Sequence, residues 1–308
     1  MPYRIQTGET PAEGIKRLSL EQLNRASKSL DQPDNIDAAI HDVRKRLKKI
    51  RGAVRLVRDE VGEDVYKRSN ITMRDAGRRL SSLRNSHVLR ATVAHVRDRY
   101  GDVLYKNAFD AIEQNIATRH DTQLARVRAD GELAQVAATL RSAAPDIENW
   151  PIEELSFDAF SGGLKRVYKR GWKAGTRARC APTDTNLHEW RKRVKYLWYH
   201  MRILKIAWPS VLPALADAIH DLADLLGDDH DLAVLHATLR DEPQLAPDKM
   251  AAQALVGLLK QRRHELQMQA WPLGNRVYAE KPKEFTARIE EYWTSSENAT
   301  VTAHASER

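Results

Sequence analysis

His41, Arg44, Lys45, Lys48 and Arg55 recur, type for type and at equal spacing, as His188, Arg191, Lys192, Lys195 and Arg202. Guanidinium and ammonium groups at this density suit one kind of chemistry: charge-assisted hydrogen bonds to phosphate or carboxylate oxygens. A histidine at the head of each row adds a donor that strengthens on protonation. The rows lie in two nearly matching stretches: residues 40–58, IHDVRKRLKKIRGAVRLVR, and residues 187–205, LHEWRKRVKYLWYHMRILK. A match of this length implies an internal duplication.

Helical spacing separates these residues into two faces. Val43, Leu47, Ile50, Val54 and Val57 fall on one apolar stripe, and Trp190, Val194, Leu197, Met201 and Leu204 repeat it. The cations lie roughly opposite, in a row spanning roughly 20 Å at about 1.5 Å per residue. A charged face opposite an apolar one is most often merely solvated. Here the face is nearly all one sign, whereas solubility favours mixed charge. Asp42 and Glu189 read as lying beside the row, off the spacing that would pair charges along it. The arrangement also recurs, which favours an anion site across two such helices.

The 308-residue chain has a net charge of +8, which suits a nucleic acid, a phosphate polymer, an acidic protein or a membrane surface. A single cysteine, Cys180, excludes an intramolecular disulfide and suits a reducing compartment. No secretory signal or membrane-spanning run is visible, so the expectation is a soluble, cytoplasmic protein.

The elements that must position the two rows read as helices throughout. Thr10 to Glu13 is a capping box with proline at the first helical position, opening a helix to about residue 30. Further helices fit 64–83, 86–99, 102–129 and 131–141 around the first signature helix. Residues 144–151 read as a hinge. A helix over 152–179 then precedes the second signature helix, followed by helices near 211–226, 229–240, 248–270 and 282–293. Gly227 followed by Asp228-Asp229-His230-Asp231 reads as a helix stop and a new N-cap. Residues 294–308 read as a disordered tail. Residues 15–18 (IKRL) resemble 164–167 (LKRV), and 83–89 (LRNSHVL) resemble 226–232 (LGDDHDL), extending the duplication. The expected fold class is all-α: two helical bundles, 9–146 and 151–293, related by a pseudo-twofold axis, with the cationic rows lining a central basic channel.

At these residues the chain resembles the CHAD family, the conserved histidine α-helical domain. The likeness rests on His41 to Lys48 and His188 to Lys195, with Leu83-Arg84-Asn85 and Leu226 to Asp229 after them and residues 281–293 at the end. It covers about 9–293. The resemblance implies a basic channel, lined by the paired signature helices, that binds inorganic polyphosphate without catalysis, cofactor or metal. It also suggests association with polyphosphate granules. Many family members carry a triphosphate-hydrolase barrel; its alternating Glu-x-Glu-x-Lys pattern is absent here. Arg51 and Gly52 face Trp198 and Tyr199 in the second copy, and Asn85 replaces the acidic residue of the family's Leu-Arg-Asp pattern.

The candidate polyphosphate ligands are therefore His41, Arg44, Lys45, Lys48, Arg51, Arg55, His188, Arg191, Lys192, Lys195 and Arg202. Arg166, Arg170 and Lys173 form a further stripe with Arg177, which either is solvated or extends the channel. Arg78 and Arg84 are additional contacts. Two other classes stay open. His-Asp pairs at 41–42, 120–121, 220–221 and 230–231 allow a metal-dependent helical phosphohydrolase, although a metal sits badly among cations. A nucleic-acid backbone would suit the same cations. Aromatics are only 6% of the chain, however, and single-strand readers interleave them with basic residues. Gly162-Gly163 is too sparse for a phosphate loop. Chain-length preference and oligomeric state are left open.

Overall fold

Thr10 accepts from the Glu13 amide while the Glu13 carboxylate reaches back to the Thr10 amide, and α1 (Pro11–Lys28) starts as that capping box requires. A computed structural model describes residues 3–101, 106–153, 156–246 and 248–306. Among these residues every regular element is helical.

The first half holds α2 (Ile36–Leu56), α3 (Arg58–Arg79), α4 (Ser81–Tyr100), α5 (Lys106–Ala129), α6 (Glu132–Ser142) and α7 (Ala144–Glu148). The second holds α8 (Asp158–Cys180), α9 (Asp184–Ile203), α10 (Leu212–Asp241), α11 (Lys249–Val277) and α12 (Pro282–Ser306). The two signature helices, α2 and α9, are capped by Asn35 and Thr183, whose side chains accept from the amides of Ala38 and Asn186.

Several boundaries differ from the sequence pattern for physical reasons. α10 runs unbroken through Gly227. Asp229, expected near a new N-cap, is instead buried and accepts from Arg263 Nε of α11 at 3.0 Å and Gln267 Nε2 at 2.8 Å. That tertiary pairing outweighs the low helix propensity of one glycine. Residues 144–148, expected as a hinge, form the short helix α7, and Trp150 after it is buried with its Nε1 donating to Ser69 Oγ. α8 starts at Asp158 rather than 152; residues 154–155 lie outside the described residues, as do 102–105 before α5. α3 begins at Arg58 and bends at Gly62, whose φ of +76° suits glycine. α11 extends to Val277, through Pro272. α12 continues as helical backbone to Ser306, past the point where the composition suggests a tail.

Both apolar stripes are buried as their period demands: Val43, Ile50, Val54, Val194, Leu197 and Met201 have no exposed surface. They join a core drawing on α1, α2, α3, α6, α8, α9, α12 and the first part of α10. A second, smaller core holds Val93, Phe109, Ile116, Leu235, Leu255 and Leu259, from α4, α5, α10 and α11. Each core thus takes residues from both sides of the 144–151 connection.

Two glycines let helices touch backbone to backbone. A β-carbon added at Gly163 of α8 would lie against the carbonyl oxygens of Arg55 and Leu56 at the end of α2. Gly162-Gly163, no phosphate loop, is thus a packing surface. Gly52 of α2 meets Tyr199 of α9, with a β-carbon position 3.0 Å from Tyr199 Cβ. At the same crossing His200 Nε2 donates to the Gly52 carbonyl at 3.0 Å. Burial, partly offset by this bond, lowers the His200 pKa to about 3, so the ring is a neutral core group.

Candidate anion-binding site

The crossing of α2 and α9 carries the cations of both sequence copies to one place. Lys48 of α2 lies within electrostatic reach of Arg44 on its own helix, Arg84 of α4, and Arg191 and Lys195 of α9. It is exposed to solvent yet surrounded by protein, as is a side chain lining a concave surface. Burial first, then these like charges, lower its pKa to about 7. Lys195 is lowered by burial and Arg191, with Asp224 opposing. His41 is lowered by burial, then by Arg84, Lys45 and Lys48. His188 is lowered by burial, then by Lys192 and Arg191. Arg44 and Arg84 are lowered mainly by burial but stay charged, as guanidinium does.

His41, Arg44, Lys45, Lys48, Arg84, His188, Arg191 and Lys195 therefore form one mutually repelling group. Such a group favours any anion that enters it. His188 Nδ1 and Arg191 Nε are buried with no hydrogen-bond partner among the described residues, and the His188 ring lies 4.4 Å from that of His230.

The other candidates lie elsewhere or are already engaged. Arg51 Nε and Arg55 Nη2 both donate to Asn70 Oδ1, at 3.0 and 2.6 Å. The Arg55 guanidinium also stacks on Tyr196, 4.1 Å from the ring centroid. Arg202 stacks on Trp198 and Tyr3. Arg166 pairs with Asp59 at 2.7 Å and clamps α8 to α3. Arg78 pairs with Asp75 at 3.6 Å at the surface. Arg170 is exposed within reach of Arg193 and Arg58, and Lys173 is exposed on α8.

The cationic face is not free of partners: Glu189 pairs with Lys192 and, at 3.3 Å, with Arg193, while Asp42 pairs with Arg46 at 2.5 Å. The i+3 and i+4 spacings allow both carboxylates to reach along their helices.

The sequence reading also misses acidic and neutral members of the site. Asp224 lies 3.7 Å from Lys195, and Asp231 lies within reach of Arg191, Arg84 and Lys195. Asp37 holds His87 and the buried His120 at 3.2 and 3.0 Å, beside Arg84. The histidines of the sequence-adjacent His-Asp pairs at 120 and 220 turn to other carboxylates; His220 Nδ1 bonds Asp224 at 2.7 Å. No group of three or more His, Cys, Asp or Glu residues able to hold a metal is found among the described residues. No helix among them is long and apolar enough to cross a membrane.

Comparison with known proteins fits this architecture. Among solved structures the chain is similar to the CHAD domain from the plant Ricinus communis, at 19% identity and a TM-score of 0.55, covering 90% of this chain and 97% of that one. That likeness speaks for the fold. No curated protein matches the chain. A family model, the CHAD domain, matches residues 16–240, well over half the sequence. With both signature helices inside the matched region, the chain belongs to the CHAD domain family.

Proposed function

We propose that the protein binds inorganic polyphosphate at the α2–α9–α4 cation group and does no chemistry on it. The observation that carries this is the like-charge cluster around Lys48, to which both sequence copies contribute. Folding such a cluster is unfavourable unless an anion offsets the repulsion. Several cations in a row suit a linear polyanion, which gains one charge-assisted contact per phosphate and releases counterions. The Gly52–Tyr199 contact supports the duplication reading: a twofold axis brings equivalent positions together, and where one is large its partner must be small.

The test is a titration of labelled long-chain polyphosphate over a range of salt. The expected result is a steep fall in affinity as salt rises. A flat response overturns the proposal, and so does complete displacement by RNA at equal phosphate concentration. No orthophosphate is released, with or without Mg²⁺ or Mn²⁺; metal-dependent release would overturn the non-catalytic part.

Lys48 also predicts a pH dependence. Its folded pKa, about 7, lies below the ordinary 10.5, so the unfolded chain binds more protons between these values. Stability of the ligand-free protein therefore rises with pH across that window. A polyanion favours charged Lys48, so affinity falls over the same window. Calorimetric titrations at pH 6.5 and 8.5 are expected to show weaker binding and more proton uptake at the higher pH, with Lys48→Arg flattening both.

A further inference from the structure

The two copies are not electrostatically alike, and the cause lies on α10. Asp217, Asp221, Asp224, Asp228 and Asp231 fall at i, i+4, i+7, i+11 and i+14, one stripe of an unbroken helix. α10 packs along α9. Its inner carboxylates meet the second copy's cations: Asp224 lies 3.7 Å from Lys195, and Asp231 lies within reach of Arg191 and, more weakly, Lys195, as well as Arg84 of α4. Asp228 lies among Asp224, His95 and Arg262, with Arg191 acting on it more weakly.

The first copy lacks this stripe. In the matching stretches 83–89 and 226–232, Asn85 and Val88 stand where Asp228 and Asp231 do, and Arg84 stands where Gly227 does. Thus α4 adds a cation beside Lys48 at the position where α10 has a glycine, whose β-carbon position would lie 3.5 Å from Arg191 Nε. Nearby carboxylates of the first half pair with residues outside the signature row: Asp42 with Arg46, Asp75 with Arg74, and Asp37 with His87 and His120, although Asp37 also acts on Arg84.

We propose that the aspartate stripe of α10 is a resident counter-anion for the second signature helix, so that polyphosphate is held chiefly by His41, Lys45 and Lys48 of the first. The assignment rests on the polyphosphate reading for its ligand, but not for its electrostatics. Asp224 pairs with Lys195, and Asp231 offsets Arg191, before any ligand arrives. An incoming phosphate must compete with them there, whereas at Lys48, whose charged neighbours are all cations, it relieves repulsion.

Two measurements test this. Without ligand, at low salt, Lys48→Met removes an unopposed repulsion and raises the melting temperature by about 1–3 °C more than Lys195→Met, where Asp224 partly offsets the like charges. With the triple change Asp224→Asn, Asp228→Asn, Asp231→Asn in the background, that difference closes. Equal shifts in the wild-type background overturn the counter-anion. With long-chain polyphosphate as probe, Lys45→Ala with Lys48→Ala weakens binding by about tenfold or more. Lys192→Ala with Lys195→Ala weakens it by less than about threefold, rising to about tenfold in the asparagine background. Equal losses from the two pairs in the wild-type background overturn the one-sided site. Unequal melting shifts in a protein that binds no polyphosphate uphold the counter-anion and overturn the polyphosphate reading instead.

Discussion

Replacing Lys45, Lys48, Lys192 and Lys195 together by alanine is expected to weaken long-chain polyphosphate binding by about 100-fold or more. Hydrogen bonds to charged groups contribute about 1.5–3 kcal/mol each, and even heavy screening of four of them leaves a loss of this size. The effect exceeds that of either pair alone. With Lys195 gone, Asp224 faces the ligand without its counter-cation. None of the four lysines belongs to the buried stripes, so the fold survives. The melting temperature is expected to hold or to rise by about 1–3 °C, because burial and like charges disfavour the Lys48 and Lys195 ammonium groups in the folded protein. Fluorescence titration and differential scanning calorimetry on one protein preparation read both quantities. Retained affinity would remove the candidate site. Unfolding would make these lysines structural.

The largest stability effect is expected far from any charge, at Gly163. A β-carbon there meets backbone oxygens of Arg55 and Leu56, which cannot rotate away as a side chain could. Overpacking costs about 1–3 kcal/mol when side chains can adjust, and more when backbone must move. Gly163→Ala is therefore expected to destabilise by about 3 kcal/mol or more, lowering the melting temperature by about 6 °C or more. Gly257 is the control: it is helical and exposed, with nothing within 4 Å of a β-carbon position. Gly257→Ala is expected to stabilise by about 0.5–1 kcal/mol through helix propensity alone. Chemical denaturation of both variants checks the contrast. A neutral Gly163→Ala would show that α8 and α2 are free to separate. Because α2 carries Lys48 and Arg44, the destabilised variant is also expected to bind polyphosphate more weakly.

The polyphosphate reading itself began with a likeness to the CHAD family, whose family model matches residues 16–240. The charge pattern supports that reading.

What the amino-acid sequence determined by itself is whatever depends on period and type. The 3.6-residue period of Val43, Leu47, Ile50 and Val54 determined a helix and its buried side, because apolar surface must leave water wherever a face can be covered. The capping residues Thr10, Asn35 and Thr183 determined where three helices start, because cap chemistry is local. The repeated His-Arg-Lys rows determined that both helices carry the same set of cations on the same face. Tertiary structure alone decided which of those cations are free. Glu189 and Lys192 differ by three positions, yet whether they pair depends on rotamers set by neighbours. Arg55 is stacked on Tyr196 and Arg166 is bound to Asp59 because helices far apart in sequence meet there. The five aspartates of α10 were visible as letters, but an apparent stop at Gly227 hid their common face. Only the packing of α10 on α9 and α11, with Asp229 bonded to Arg263, carries that helix through the glycine and turns Asp224 toward Lys195. Charge type is a property of residues, whereas charge balance at a site depends on distances between chain segments. Those distances are set by the tertiary fold.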